Sequence, residues 1–314
     1  MRKFKTKKDG QIYDLTEKNC RERLIPRETY YVQIGKLYRW IALCPVCENP
    51  IQLIGITGEV KRTINGKEIS INPYARHIVK RYTELSGTFQ EDKYLHCPLS
   101  SKYKVVGLKN GEHYATPTQV NFDVYNLLKE NFDTAIYILA RSMGIQYIKE
   151  SDAQKILESY ISMDGYMDKF SQVYNTPWML FTDSSANLRL WNLNILPDTK
   201  LYEYLKTRKD IKLIQKETKS GSIVYNVQGK DCYLNDYIEF GYYERKKKTN
   251  EDIEETVEMR IYRGPTTKKE PAEVIWRTYI DIPLDWYINT INSKNRFRNN
   301  NLLEIAKITM PKIE

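Results

Sequence analysis

The sequence predicts an α+β fold in which a small β-rich module precedes a helical hairpin and a mixed α+β C-terminal domain. Up to residue 71 the chain carries short apolar runs with the two-residue alternation of strands, separated by turn residues. From residue 122 the apolar positions change to helical spacing, and strand-like runs return beyond residue 177. The predicted parts are residues 1–120, 121–165 and 166–314, because a chain of 314 residues exceeds the size at which one core stops growing.

The β-rich module follows a polar N-terminal segment and consists of short predicted strands. Residues 29–32, 36–43, 51–56, 60–64 and 69–71 are rich in strand formers. Asn65-Gly66 separates the last two runs, and this dipeptide is a strong signal for a two-residue hairpin turn. The segment from Arg76 to Glu84 has mixed helical character, and residues 103–108 predict one more strand.

Two amphipathic helices are predicted next. The first runs from a cap at Asn121 to Gly144, and the second runs from a cap at Ser151 or Asp152 towards Gly165. Apolar stripes of this kind are core far more often than they are cofactor-binding surfaces. We therefore expect the two helices to form an antiparallel hairpin.

The C-terminal part alternates between predicted strands and short helices. The apolar run 177–181 predicts a buried strand, and residues 199–206 predict a helix. Further strands are predicted at 211–214, 223–227, 233–243, 257–262 and 275–282, before a helix opened by Pro283, a polar linker and a short final element. Residues 244–255, which connect two of these strands, are dense in charge, and we expect them to form a solvated loop.

One motif in the β-rich module carries specific chemistry. Cys44 and Cys47 form a Cys-x2-Cys turn between two predicted strands, and the β-branched run after Pro50 argues against the helix that follows a redox pair. Zinc takes four nitrogen or sulfur ligands in a tetrahedron, and this short turn aims two thiolates at one ion. The later residues His77 and Cys97 are the best candidates for the other two ligands. The sequence therefore predicts a structural Zn²⁺ held by Cys44, Cys47, His77 and Cys97.

Other assignments of these residues stay open at the level of sequence. His96 adjoins Cys97 and is an alternative to His77, and His113 is a more distant candidate. If His77 were only a neighbour, three cysteines would leave one coordination position for water, as in a catalytic zinc site. A disulfide is not expected, because five cysteines in 314 residues are sparse and one would stay unpaired.

The segment around the first two cysteines resembles the knuckles of zinc ribbons and treble-clef zinc fingers. The resemblance covers about thirty to sixty residues and rests on Cys44 and Cys47, with support from His77 and Cys97. Such knuckles usually carry a glycine after the second cysteine. Glu48 takes that place here, and Asn49, a residue type that tolerates left-handed backbone, follows it. The resemblance implies a metal that acts through folding.

The excess positive charge lies in the same part of the chain. Residues 1–120 hold 21 lysines and arginines against 12 acidic residues, whereas residues 121–314 hold 28 of each. A one-sided positive field attracts polyanions, and nucleic acid is the commonest polyanion in a cell. Basic and aromatic residues also alternate here, so rings can stack on bases while cations neutralise phosphates, although a half-buried sheet gives the same pattern. The predicted nucleic-acid-binding residues are Arg39, Arg76, Lys80, Arg81, Lys102 and Lys104.

We therefore expect a cytoplasmic, zinc-stabilised protein that binds DNA or RNA, with a metal that takes no part in catalysis. Phosphate-binding loops and the common hydrolase motifs are missing from the sequence, and three histidines leave little for acid–base chemistry. One alternative is a metal-dependent nuclease, built from Asp231, Asp236, Glu239, Glu244 and Lys246. A second alternative is an adaptor that binds another protein. No apolar run has the length of a membrane span, so no membrane partner is expected.

Overall fold

The computed structural model confirms the α+β class. It describes residues 1–24, 30–34, 37–56, 60–64, 67–71, 73–78, 89–103, 109–230, 234–249, 252–264, 271–296 and 298–312. Within these ranges, a strand-rich N-terminal region is followed by helices and then by further antiparallel sheets.

Six antiparallel strands of the N-terminal region form one sheet. They are β1 (Lys3–Lys5), β2 (Ile12–Asp14), β3 (Tyr31–Ile34), β4 (Leu37–Leu43), β5 (Pro50–Ile54) and β8 (Tyr74–His77). Their order is β2-β1-β4-β5-β8, with β3 paired to the first half of β4. The strands β6 (Val60–Ile64) and β7 (Lys67–Ile71) pair as the predicted hairpin, whose turn residues lie outside the described part. Helix α1 (Glu17–Arg23) follows β2, and helix α2 (Glu91–Leu95) follows β8.

Helices make up the middle of the chain and recur towards its end. They are α3 (Gln119–Ser142), α4 (Glu150–Ser162), α5 (Thr176–Thr182), α6 (Lys200–Thr207), α7 (Trp286–Ile291) and α8 (Asn300–Thr309). The N-cap of α3 is Thr118, and the predicted cap Asn121 is the third helical residue, which completes a capping box. The C-terminal helix α8 packs against both α3 and α4.

Two further sheets fill the C-terminal region. A three-stranded sheet has the order β10-β12-β11, and a four-stranded sheet has the order β15-β14-β13-β9. These strands are β9 (Leu188–Arg189), β10 (Asn194–Ile195), β11 (Ile211–Glu217), β12 (Ile223–Gly229), β13 (Asp236–Thr249), β14 (Asp252–Arg263) and β15 (Glu273–Asp281). Gly221, between β11 and β12, has a φ of +79°, a conformation that costs glycine nothing.

Three segments differ in secondary structure from their predictions, and the N-cap of α4 is Lys149 rather than the predicted Ser151 or Asp152. Residues 177–181 lie in helix α5, because a fully buried apolar run has no polar face from which its period could be recognised. Arg76 and His77, the start of the segment 76–84 with predicted helical character, belong to strand β8 because β8 pairs with β5, and residues 79–84 lie outside the described residues. The charged residues 244–255 do not form a solvated loop: β13 runs to Thr249 and β14 starts at Asp252. The predicted strand 103–108 lies almost wholly outside the described residues.

One face of the N-terminal sheet packs into the hydrophobic core. Leu53 pairs with Trp40 and Ala75, and Ile51 pairs with Ala42 and His77, so these side chains share a face. Most of them belong to the same core cluster as the helices α3 to α5. The register therefore sends the His77 imidazole towards the interior.

None of the helices in the described ranges is long and apolar enough to cross a membrane.

Candidate metal centre

Three separate segments bring four ligand-type side chains together. Cys44 and Cys47 lie in the turn between β4 and β5, His77 ends β8 beside β5, and Cys97 follows helix α2. Their three sulfur atoms and one ring nitrogen all lie within 4.8 Å of one another. The three cysteines are buried and His77 is half-buried. A group of this composition fits a metal ion.

The spacing of the atoms matches what a tetrahedral metal requires. The sulfur atoms of Cys44 and Cys97 are 3.8 Å apart, and two ligands at a Zn–S distance of about 2.3 Å in a tetrahedron would be separated by roughly 3.8 Å. The Nε2 atom of His77 lies 3.3 Å from the Cys47 sulfur and 3.9 Å from the Cys97 sulfur. A disulfide would need sulfur atoms about 2.05 Å apart, so the cysteines are free thiols placed around a common point.

The turn that carries the first two cysteines is closed by backbone hydrogen bonds. Cys44 N donates to Asn49 O at 2.9 Å, and Glu48 N donates to Cys44 O at 3.1 Å. Glu48, rather than Asn49, adopts the left-handed backbone, with a φ of +57°. Its side chain is held in place, since Oε1 accepts from Lys5 Nζ at 2.6 Å and from Asp9 N at 3.0 Å. These bonds offset the cost of a left-handed residue that is not glycine.

Asn49 joins the two halves of the site. Its Nδ2 donates to Gln90 O at 2.9 Å, and its Oδ1 accepts from Gln90 N at 2.8 Å. Gln90 is the N-cap of α2, the helix that leads to Cys97. The buried Asn49 amide therefore fixes the distance between the Cys44–Cys47 turn and the segment that supplies Cys97. Sequence reasoning missed this role, because only the long-range pairing reveals it.

The structure distinguishes between the three histidines. The His77 ring packs edge-on against Tyr94 of α2, with centroids 5.2 Å apart, and presents Nε2 to the sulfurs. Its buried Nδ1 has no hydrogen-bond partner among the described residues. His96 lies outside the cluster, since its Nδ1 is 2.8 Å from Asp92 O and its ring packs on Tyr114. His113 is paired with the distant Asp168 through a β-bridge.

Burial and mutual contact shift the pKa values of two of the three thiols in opposite directions. Burial, together with the neighbouring Cys44 and Cys47, raises the pKa of the Cys97 thiol well above its usual range. Burial acts in the same direction on Cys47, but hydrogen bonds from Cys44, Cys97 and Asn49 outweigh it and hold the pKa of Cys47 well below its usual range. A metal ion bound by these sulfur atoms would stabilise all three as thiolates.

The predicted basic residues are only partly described. Arg39 of β4 is half-buried, while Arg76 of β8 and Lys102 are exposed. The register places Arg39 and Arg76 on the same face of the sheet, opposite to the core face, where Arg76 Nη2 donates to Gln52 Oε1 at 3.3 Å. No carboxylate of the described ranges forms an ion pair with Arg39, Arg76 or Lys102. Lys80, Arg81 and Lys104 lie outside the described residues.

The carboxylates considered for a nuclease serve other contacts. Asp236 forms ion pairs with Arg208 and Arg263, and Glu244 forms one with Lys246 of its own strand at 2.8 Å. Glu239 is paired in register with Arg260 of β14. Asp231 lies outside the described residues. In the described part of the chain, the Cys44, Cys47, His77 and Cys97 group is the one set of potential metal ligands that comes together.

A second polar cluster, which sequence reasoning missed, lies next to the metal centre. Arg245 of β13 forms an ion pair with Glu255 of β14, and Arg245 Nη1 donates to the Tyr103 hydroxyl at 2.5 Å. Lys247 Nζ donates to the backbone oxygens of Ser100 and Tyr103, at 3.0 and 3.3 Å. The segment behind Cys97 is thus tied to the C-terminal hairpin. The signal in the sequence was a basic run followed closely by an acidic run, and these runs pair with each other across β13 and β14.

Comparison of the chain with protein-family models, with curated proteins and with solved structures finds no match in any of the three.

Proposed function

We propose that this chain is a zinc-stabilised nucleic-acid-binding protein in which the metal is structural. The observation that carries the proposal is the set of one nitrogen and three sulfur atoms within 4.8 Å. Three thiolates and one imidazole are a donor set typical of structural zinc, and four protein ligands leave no position for the water of a catalytic site. Free cysteines at the site fit a reducing compartment such as the cytoplasm.

The charge of the N-terminal region supports a polyanion as the ligand. This region holds 21 basic and 12 acidic residues, whereas the rest of the chain holds equal numbers of the two. Arg39, Arg76 and Lys102 have no acidic partner within the described ranges, so their charge is available to an incoming phosphate. Cations that neutralise phosphates supply most of the affinity for nucleic acid that does not depend on sequence.

Two measurements on the purified full chain test the two halves of the proposal. Elemental analysis should find one zinc per chain, and it should find none in a Cys44→Ser variant. Fluorescence anisotropy with labelled DNA and RNA should give a dissociation constant that rises steeply with salt, because counterions are released on binding. Binding that is undetectable, or that does not change with salt, would remove the nucleic-acid half and leave the zinc half standing.

A further inference from the structure

The hairpin of β3 and β4 carries three aromatic rings side by side on one face. Tyr31 lies opposite Trp40 in the register, and Tyr38 precedes Trp40 by two residues, so all three side chains point the same way. The Tyr31 ring centroid lies 5.3 Å from that of Tyr38, at an interplanar angle of 26°, and 4.7 Å from that of Trp40, at 36°. We call this continuous set of rings the ring ladder.

The ring ladder is open to solvent at one end. Tyr38 is 57% exposed and Tyr31 is 46% exposed, while Trp40 is half-buried and packs against the core. In the described residues, β5 pairs with β4 only from Trp40 onwards, so the Tyr38 end of the hairpin extends past β5 as a two-stranded ribbon. Neighbouring rings that stay exposed on a projecting element add little to folding and are typical of an interaction surface.

We infer that the ring ladder stacks the bases of single-stranded nucleic acid, an inference that rests on the proposed function. The flat face of any base can stack on tyrosine or tryptophan, which gives affinity without sequence preference. In a duplex these faces are already stacked inside the helix, and a protein reaches only base edges and the backbone. A single strand therefore fits the rings, and a duplex does not.

Charge favours a polyanion over an apolar protein surface as the occupant. Arg39 lies between Tyr38 and Trp40 in the sequence and emerges on the opposite face of the same narrow ribbon. It forms no ion pair with any described residue, and the region that holds the ribbon has nine more basic than acidic residues. The positive field of this region attracts the phosphates of a strand whose bases lie on the rings.

The test compares Tyr38→Ala with Tyr279→Ala, which removes a ring of similar exposure, 53%, from β15. Binding is measured by anisotropy with a labelled single strand and with the same sequence as a duplex. Tyr38→Ala should weaken binding of the single strand by roughly five-fold to a hundred-fold, the range for loss of one stacked base. Duplex binding and the Tyr279→Ala control should be unchanged, and Tyr38→Phe, which keeps the ring, should bind like the wild type.

Tryptophan fluorescence gives a second readout of the same contact. Addition of the single strand should quench part of the wild-type emission, and this part should be missing in Trp40→Phe. Zinc content and circular dichroism of each variant are compared with the wild type. If Tyr38→Ala does not fold, Tyr38→Leu retains the apolar bulk without the ring and takes its place.

Two results would overturn the inference, and they differ from failure of the proposed function. The inference is wrong if the wild type binds a duplex as tightly as a single strand, or if Tyr38→Ala binds the single strand like the wild type. In both cases nucleic-acid binding itself stands. If the wild-type protein binds neither ligand, the nucleic-acid half of the proposed function fails, and the inference fails with it.

Discussion

Arg245 and Glu255 form an ion pair whose side chains are 0% and 1% exposed, on strands that the charge pattern alone would place in solvent. Three tyrosine hydroxyls surround the pair. Tyr174 donates to Glu255 Oε1 at 2.5 Å, and Tyr103 and Tyr243 lie 2.5 and 3.3 Å from guanidinium nitrogens. Because Tyr103 belongs to the segment behind Cys97, the pair connects the metal centre to the C-terminal sheet.

Glu255→Gln should destabilise the protein strongly, because it leaves the Arg245 charge buried and without its counterion. Removal of one partner from a buried ion pair costs about 3–5 kcal/mol. Urea unfolding measures the loss. The matched control is Glu244→Gln, which breaks the pair with the exposed Lys246 and should leave the unfolding midpoint close to that of the wild type. Equal midpoints for the two variants would contradict the structural role of the buried pair.

Asn49→Ala should weaken zinc binding although Asn49 is not a ligand. It removes both hydrogen bonds to Gln90, so the Cys97 segment is no longer held at a fixed distance from the Cys44–Cys47 turn. Loss of a supporting contact around a metal site costs roughly 10–100-fold in metal affinity. Competition with a chromophoric chelator measures this change.

The control for Asn49→Ala lies in the partner residue. The hydrogen bonds between Asn49 and Gln90 involve only backbone atoms of Gln90, so Gln90→Ala should retain wild-type zinc affinity. A loss of zinc affinity in Gln90→Ala that equals the loss in Asn49→Ala would show that the hydrogen bonds between Asn49 and the Gln90 backbone are not the cause.

Arg39→Ala and Arg76→Ala should each weaken binding of nucleic acid to a similar extent for all sequences. A cation that contacts phosphate contributes a slope of about one to the dependence of log K on log salt, so each variant should lower the slope by roughly that amount. Lys155→Ala, which removes an exposed cation of helix α4 from the part of the chain that has no excess of positive charge, is the control. Unchanged slopes in both arginine variants would place the phosphate contacts elsewhere.

Asp183→Asn should stabilise the protein increasingly as the pH rises. Burial, together with the negative charge of Asp168, raises the pKa of Asp183 well above its usual range, and its buried Oδ2 has no described partner. Below about pH 4 the carboxyl is protonated in both the folded and the unfolded chain, so it causes no penalty. Above that pH the unfolded chain releases the proton and the folded chain retains it, so folding becomes less favourable.

The size of this effect follows from the linkage between proton binding and folding. Between the ordinary pKa and the raised one, the unfolding free energy of the wild type should fall by about 1.4 kcal/mol per pH unit relative to Asp183→Asn. Urea unfolding at a series of pH values measures the difference. Asp164→Asn, at an exposed position, should show no such trend. A constant difference between wild type and Asp183→Asn would exclude a protonated carboxyl at this position.

The metal centre could be predicted from the sequence because its first half is local. Two cysteines in one turn already define the chemistry, and the remaining ligands had to be histidine or cysteine further along the chain. The choice of His77 over His96 depends on the pairing of Ile51 with His77, which no local pattern contains. The supporting role of Asn49 also depends on a long-range contact, because its partner lies 41 residues away.

The buried ion pair escaped prediction for a different reason. A run of like charges usually indicates solvent exposure, and residues 245–248 form such a run. On a strand, however, every second side chain points inward, and Arg245 follows the buried Tyr243 in that alternation. Contacts with residues distant in the sequence then decide whether the arginine is buried. Its burial is favourable only when a carboxylate and hydroxyls complete its hydrogen bonds.

We propose that a metal holds the N-terminal module together, and X-ray absorption at the zinc edge of the purified full chain tests this proposal most directly. We expect one zinc per chain, with three sulfur neighbours at about 2.3 Å and one nitrogen neighbour at about 2.0 Å. Cys44→Ser should lose the metal and the fold of the module, whereas Cys20→Ala, at a buried cysteine outside the cluster, should retain the metal. A folded wild-type protein that contains no zinc, or a zinc ion surrounded by oxygen atoms, would contradict a structural zinc held by these four residues.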